Sequence, residues 1–222
     1  MILGIDLAAK CENSTGFAVI DKKTMFIGTV LPDSELLDIV DLYKPEFIAI
    51  DAPLSIPSGR CCLEKECKCS AYGHFRQSDK KMRQYGGVLP LTFHGMKLLT
   101  LRAIELKEKL KISHPSVKII ETHPRTCQKV FGLDKEVKNI FDHLNSFFQL
   151  QKFVKINKKI NLKSWTEVTQ HEIDGALAAL SALYYVNGKF HELGDPGEGT
   201  IIVPDVCNGF KSDISSFLND ES

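Results

Sequence analysis

Three apolar runs in this chain stop at a carboxylate: Leu3-Gly4-Ile5-Asp6, Ile48-Ala49-Ile50-Asp51 and Ile119-Ile120-Glu121. Runs this short and this rich in Ile read as strands buried on both faces, the kind found in a mostly parallel sheet covered by helices. In such sheets ligands gather at the carboxyl ends of the strands, so acids placed there from several strands converge on one point. An Asp at a strand end is otherwise an ordinary turn former or helix cap. Recurrence on three strands favours a shared site, and Pro53 and Pro124 close behind speak for stiffened loops rather than immediate helix starts.

The remaining pattern fits one α/β domain. Leu3 to Asp6, Thr15 to Ile20 and Met25 to Val30 predict an antiparallel meander, followed by a helix from Ser34 to Tyr43 capped by Asp33 and ended by Pro45. After Phe47 to Ile50 the chain opens into a loop insertion at about 57–90. Met96, Leu99, Ala103, Leu106 and Leu110 share one face of a helix spanning Thr92 to Leu110, and Val117 to Ile120 is a further strand leading into a helix over Arg125 to Phe131. Asp134 to Lys163 reads as mostly helical. Thr169-Gln170-His171-Glu172 forms a capping box, and Ile173, Leu177, Leu180 and Tyr184 mark the buried face of the helix it starts. Thr200 to Val203 is predicted as a last edge strand, and 205–222 as a C-terminal tail, mobile near Glu221 and Ser222. The domain proper therefore spans 1–204. With 222 residues the chain has room for one core of ordinary size.

Asp174 lies one and a half turns into the capped helix, beside its apolar face, and joins the strand-end acids as a fourth candidate. Clustered carboxylates raise each other's pKa until a cation neutralises them, and hard oxygen ligands favour Mg²⁺ or Mn²⁺. Two such ions about 4 Å apart support hydrolysis of a phosphodiester. His123 and His171 stand next to the acids and either orient or deprotonate a water or serve as hydrogen-bonded structural residues. Lys10 and Arg125 flank the acids and suit a phosphate.

Cys61, Cys62, Cys67 and Cys69 crowd into nine positions of the insertion, with His74 in reach. The start of the chain, Met1 to Ile5, carries no basic leader or cleavage site, so a cytoplasmic, reducing setting is expected and thiolate coordination becomes the natural reading. A tetrahedron of Cys62 (or Cys61), Cys67, Cys69 and His74 suits structural Zn²⁺; the alternative is a loop of reduced thiols. Lys65, Lys68 and Arg76 would let a zinc-bound loop grip nucleic acid.

The segments Gly4-Ile5-Asp6-Leu7-Ala8, Asp51-Ala52-Pro53-Leu54-Ser55, Glu121-Thr122-His123-Pro124 and His171-Glu172-Ile173-Asp174-Gly175-Ala176-Leu177, in this order, resemble a microbial family catalogued as a domain of unknown function and described as predicted nucleases of the ribonuclease H fold. The resemblance runs from Met1 to Pro204. It implies a ribonuclease H-like mixed sheet of five strands with helices on both faces, and a site built from Asp6, Asp51 and Asp174 with Glu121 as a further acid, holding two Mg²⁺ or Mn²⁺ ions and cleaving DNA or RNA. Lys plus Arg and Asp plus Glu both total 28, so the chain lacks the overall basic excess of proteins held on nucleic acid mainly by phosphate neutralisation. Local basic stretches at Lys80, Lys81 and Arg83 and at Lys152, Lys155, Lys158, Lys159 and Lys163 either face a backbone or coat solvated surfaces.

Two other readings compete. An actin-like phosphotransferase or ATPase would share Gly4-Ile5-Asp6 with Ser14-Thr15-Gly16 but needs a second lobe, and the chain has neither that nor a P-loop lysine. A non-catalytic nucleic-acid or nucleotide-binding module would keep the fold and not the chemistry. No uncharged run is long enough to cross a bilayer.

Overall fold

In a computed structural model, which describes residues 1–133, 135–156, 159–163 and 168–219, Ile2–Asp6 (β1), Thr15–Asp21 (β2) and Thr24–Val30 (β3) form the antiparallel meander. Asp33–Tyr43 (α1) leads back to Phe47–Ile50 (β4), which pairs parallel to β1. The cap differs from expectation. Pro32 is the N-cap, and the Asp33 carboxylate is drawn away by Arg102, whose Nη2 and Nε donate to it at 2.6 and 3.1 Å.

Between β4 and the long helix, the insertion holds one 3₁₀ turn, Lys68–Tyr72, and a short helix, Gln77–Met82 (α2). His94–Ser113 (α3), Lys118–Thr122 (β5), Pro124–Val130 (α4) and Val137–Asn145 (α5) follow, then Gln149–Ile156 (β6), Lys159–Lys163 (β7), Gln170–Val186 (α6), Phe190–Asp195 (β8), Gly199–Pro204 (β9) and Phe210–Asn219 (α7). The strands make one mixed sheet in the order β7-β6-β3-β2-β1-β4-β5-β9-β8, so the described chain has nine strands where five were expected.

Side chains alternate across this sheet as strand geometry requires. Leu3, Ile5, Phe17, Val19, Ile48 and Ile50 pack with α1 and α3 on one face. Ile2, Ala18, Ile20, Ala49 and Ile120 pack with α6 on the other, where α4, α5 and α7 also lie. No described helix is long and apolar enough to cross a membrane.

The extra strands account for the differences. Only the first part of the stretch read as helical is helix; from Gln149 it becomes a hairpin, with β6 adding in parallel to β3. Without it β3 would expose a full edge of unpaired backbone groups, and that tertiary demand outweighs a local composition rich in Lys and Asn. Likewise β9 is interior, because β8 pairs outside it. Part of the expected tail is α7, whose Phe210, Ile214 and Phe217 belong to the core. Lys152 turns inward to Glu172 at 3.3 Å, and Lys81 Nζ donates to the Gly194 carbonyl at 3.1 Å. Asp134, Lys158, Glu221 and Ser222 lie outside the described residues, as do the side chains of Lys155, Lys159 and Lys163.

Candidate active site

Asp6 ends β1, and Asp51 follows β4 with its N–H donating to the Ile5 carbonyl at 2.8 Å, so the parallel ladder continues to the point where the two acids stand side by side. Their parity matters. Asp6 shares a face with Ile2 and Gly4, and Asp51 with Ala49, which is the face covered by α6.

The approach of α6 to that face is unusually close. A Cβ on Gly4 would run into the backbone of Gly175 and Ala179, and one on Gly16, the partner of Asp6 across the β1–β2 ladder, would run into the carbonyl of His171. Glycine at these positions lets the first turns of α6 lie on the strand backbone. His171 Nδ1 therefore comes within 2.6 Å of Asp6 Oδ2, and Asp174, one turn further on, faces the same corner, its Oδ1 accepting from Gln170 Nε2 at 2.9 Å.

Three carboxylates of like charge border this corner, and repulsion among them adds to the effect of burial at Asp51 and Asp174. Burial pushes Asp51 well above the usual carboxylate range, and the neighbouring charges of Asp6, Asp174 and Glu121 push it further, against the opposing pull of Arg125. Burial likewise raises Asp6, against the hydrogen bond and charge of His171. Asp174 is pushed up to about 6, mainly by burial, with Asp6 adding to it and Gln170 opposing. The acids stay spread: among the described residues, no three carboxylate or imidazole ligand atoms lie within 4.8 Å of one another, and the group that meets that distance is the cysteine cluster.

Glu121 departs from its expected place. It pairs in register with Ile50 and so points to the opposite face from Asp6 and Asp51; a one-residue offset along a strand is enough to do this. There it is 5% exposed. Arg76 Nη1 and Nη2 grip its two oxygens at 2.7 and 2.6 Å, and the Leu54 N–H donates to Oε2 at 2.8 Å. These three bonds tie the insertion to β5 through Glu121. Arg76, fully buried, also donates to Asp79 and to Ser55. From the sequence Arg76 reads as a loop cation beside Lys65 and Lys68, because an arginine in a loop carries no local mark of burial.

A cleft of about 280 Å³ opens over this corner, lined by Asp6, Asp51, Arg76, Glu121, His123 and Arg125 among others. Arg125 is exposed and also borders a second cleft with Gln170 and Asp174, so one guanidinium spans both. His123 Nδ1 pairs with Thr126 Oγ1 at 2.9 Å, and burial, aided by Arg125 and Lys129, lowers its pKa and favours the neutral ring. Lys10 lines neither cleft; it is exposed, with Nζ 3.7 Å from Glu12 Oε1.

In the insertion the four thiols of Cys61, Cys62, Cys67 and Cys69 come together within 4.8 Å. They form a group able to hold a metal, and Cys61 completes the set in place of His74. That imidazole is engaged by Thr92, with Nδ1 and Oγ1 3.0 Å apart. No protein-family model, curated protein or solved structure matches this chain.

Proposed function

We propose that the protein is a divalent-metal-dependent phosphodiester hydrolase acting on DNA or RNA, with a ribonuclease H-like core and a site made of Asp6, Asp51 and Asp174. The observation that carries this reading is the placing of three partly buried carboxylates, from the ends of β1 and β4 and from α6, around one corner, all raised in pKa, with the charge of Arg125 opposing the rise at Asp51 and Asp174 and His171 opposing it at Asp6. Excess buried negative charge of this kind is stable only when a cation or protons neutralise it. The donor set fits Mg²⁺ or Mn²⁺, being all hard oxygen. When bound, one or two such ions would supply Lewis-acid polarisation and charge neutralisation at a phosphate.

The chain's own residues do the rest. Arg125 offers a planar guanidinium suited to a phosphate at the junction of the two clefts. Asp6 fixes the His171 ring through Nδ1, leaving Nε2 to exchange a proton with a water. His123, held by Thr126, lines the cleft wall as a neutral ring. The insertion closes one side, its four thiols suited to a structural Zn²⁺ that a reducing cytoplasm would leave undisturbed.

Incubating labelled single-stranded, duplex, hybrid and branched nucleic acids with the protein and Mn²⁺ tests the proposal. Cleavage of at least one substrate, abolished in Asp6→Asn and Asp51→Asn, is expected. Metal-dependent binding without cleavage of any substrate would point instead to a binding module.

A further inference from the structure

From Asp51 to Phe93 the chain has almost no regular structure, and irregular segments of that length are rare in compact domains unless something holds them. One holder is Arg60, 7% exposed, which donates to the carbonyls of Cys62, Glu64 and Gly73 at 2.8, 2.8 and 2.6 Å. The thiols are the other. Cys61 and Cys67 Sγ are 3.8 Å apart, and Cys62 and Cys69 Sγ 3.7 Å. A tetrahedron of thiolates about 2.3 Å from a zinc ion has edges of about 3.8 Å, so both spacings match its edges.

What this cluster is attached to gives it a role. The cysteines and the 3₁₀ turn end at Gly73, whose carbonyl Arg60 holds. His74 then anchors to the other end of the insertion, its carbonyl accepting from the Leu91 N–H at 3.0 Å and its ring meeting Thr92. Two residues on, Arg76 enters the interior, grips Glu121 and Asp79, and forms part of the cleft beside Asp6 and Asp51. A buried guanidinium is costly unless it keeps its carboxylate partners, so the loop that carries Arg76 has to hold it in reach of Glu121 and Asp79.

We infer that Zn²⁺ held by Cys61, Cys62, Cys67 and Cys69 is the staple that pins the insertion so that Arg76 stays locked on Glu121 and the cleft keeps its wall. This rests on the zinc reading of the four thiols. It assigns the metal a place in building the acid site from a distance, with no contact to substrate.

The test uses the purified full chain. Metal analysis and Co²⁺ substitution come first: about one zinc per chain, and a cobalt form showing thiolate charge-transfer and tetrahedral ligand-field absorption, are expected. Zinc is then stripped with a chelator, and hydrogen exchange is followed across Arg76–Met82 and, as an internal control, across β1, β4 and α6. Cys67→Ser, which keeps three ligands, is measured beside it. The inference expects exchange at Arg76 and Lys80 to accelerate by about 100-fold or more while the control elements stay protected. Zinc binding with unchanged exchange at Arg76 and Lys80 after stripping would overturn the inference and leave the zinc reading intact. Absence of zinc together with a cobalt form lacking thiolate bands would overturn both.

Discussion

At the scale of single residues, Asp6 and Asp51 border the first cleft and Asp174 the second, while Glu121, in the wall of the first, is held by Arg76 and Leu54. Asp51 and Asp174 have raised pKa values in the folded chain. A raised folded pKa means that stability is greatest below the unfolded value of 3.8 and is lost as pH climbs through the folded value, about 6 for Asp174. The metal-free protein is therefore expected to melt at a lower temperature near neutral pH than near pH 4. Asp174→Asn removes a penalty on the order of 2 kcal/mol and raises the neutral-pH melting temperature by about 5 °C, as read by thermal scans at both pH values. Arg76→Ala does the reverse: it strands the buried carboxylates of Glu121 and Asp79 and costs about 3–5 kcal/mol, visible as a lower urea midpoint. Both Asp6 and Asp51 were legible because each terminates an unmistakable strand. For Glu121 the sequence placed the strand end one residue early, since β5 runs on to Thr122, and it did not show which face the acid takes.

At the scale of elements, the contact of α6 with β1 and β2 positions the site. Gly4→Ala forces a methyl into the backbone of Gly175 and Ala179 and must lift the helix, costing about 3 kcal/mol and pulling His171 away from Asp6. A change in the His171 ring resonances in NMR spectra, together with a lower melting temperature, is the expected result; an unchanged spectrum would show that the helix does not need its close seat. The capping box that starts α6 was plain in the sequence, because Thr169 and Glu172 satisfy each other locally, and the structure has both bonds. The β6–β7 hairpin was not, because what makes it a strand is the open edge of β3, a partner far away in sequence. For α7 the signal was present as Phe210, Ile214 and Phe217 at helical spacing, and the tail composition masked it. Phe217→Ala is expected to cost about 3–5 kcal/mol in urea unfolding, as for other buried aromatics.

At the scale of the whole molecule, the sheet is a frame whose centre carries the acids and whose insertion supplies the cleft wall. The α/β class followed from strand runs and amphipathic helices, which are local properties, and helical cover on both faces was implied by the family resemblance; the sheet's full width and the Arg76–Glu121 lock follow from long-range pairing that no window of sequence displays. Under the proposed function, Asp6, Asp51 and Asp174 together bind a divalent cation. Calorimetric titration of Mn²⁺ into the wild type, Asp6→Asn and Glu121→Gln tests it most directly. Saturable binding is expected in the wild type and in Glu121→Gln, where the wild-type carboxylate oxygens face Arg76, and its loss in Asp6→Asn. No heat of binding at millimolar Mn²⁺ in the folded wild type, or equal binding by Asp6→Asn, would contradict it.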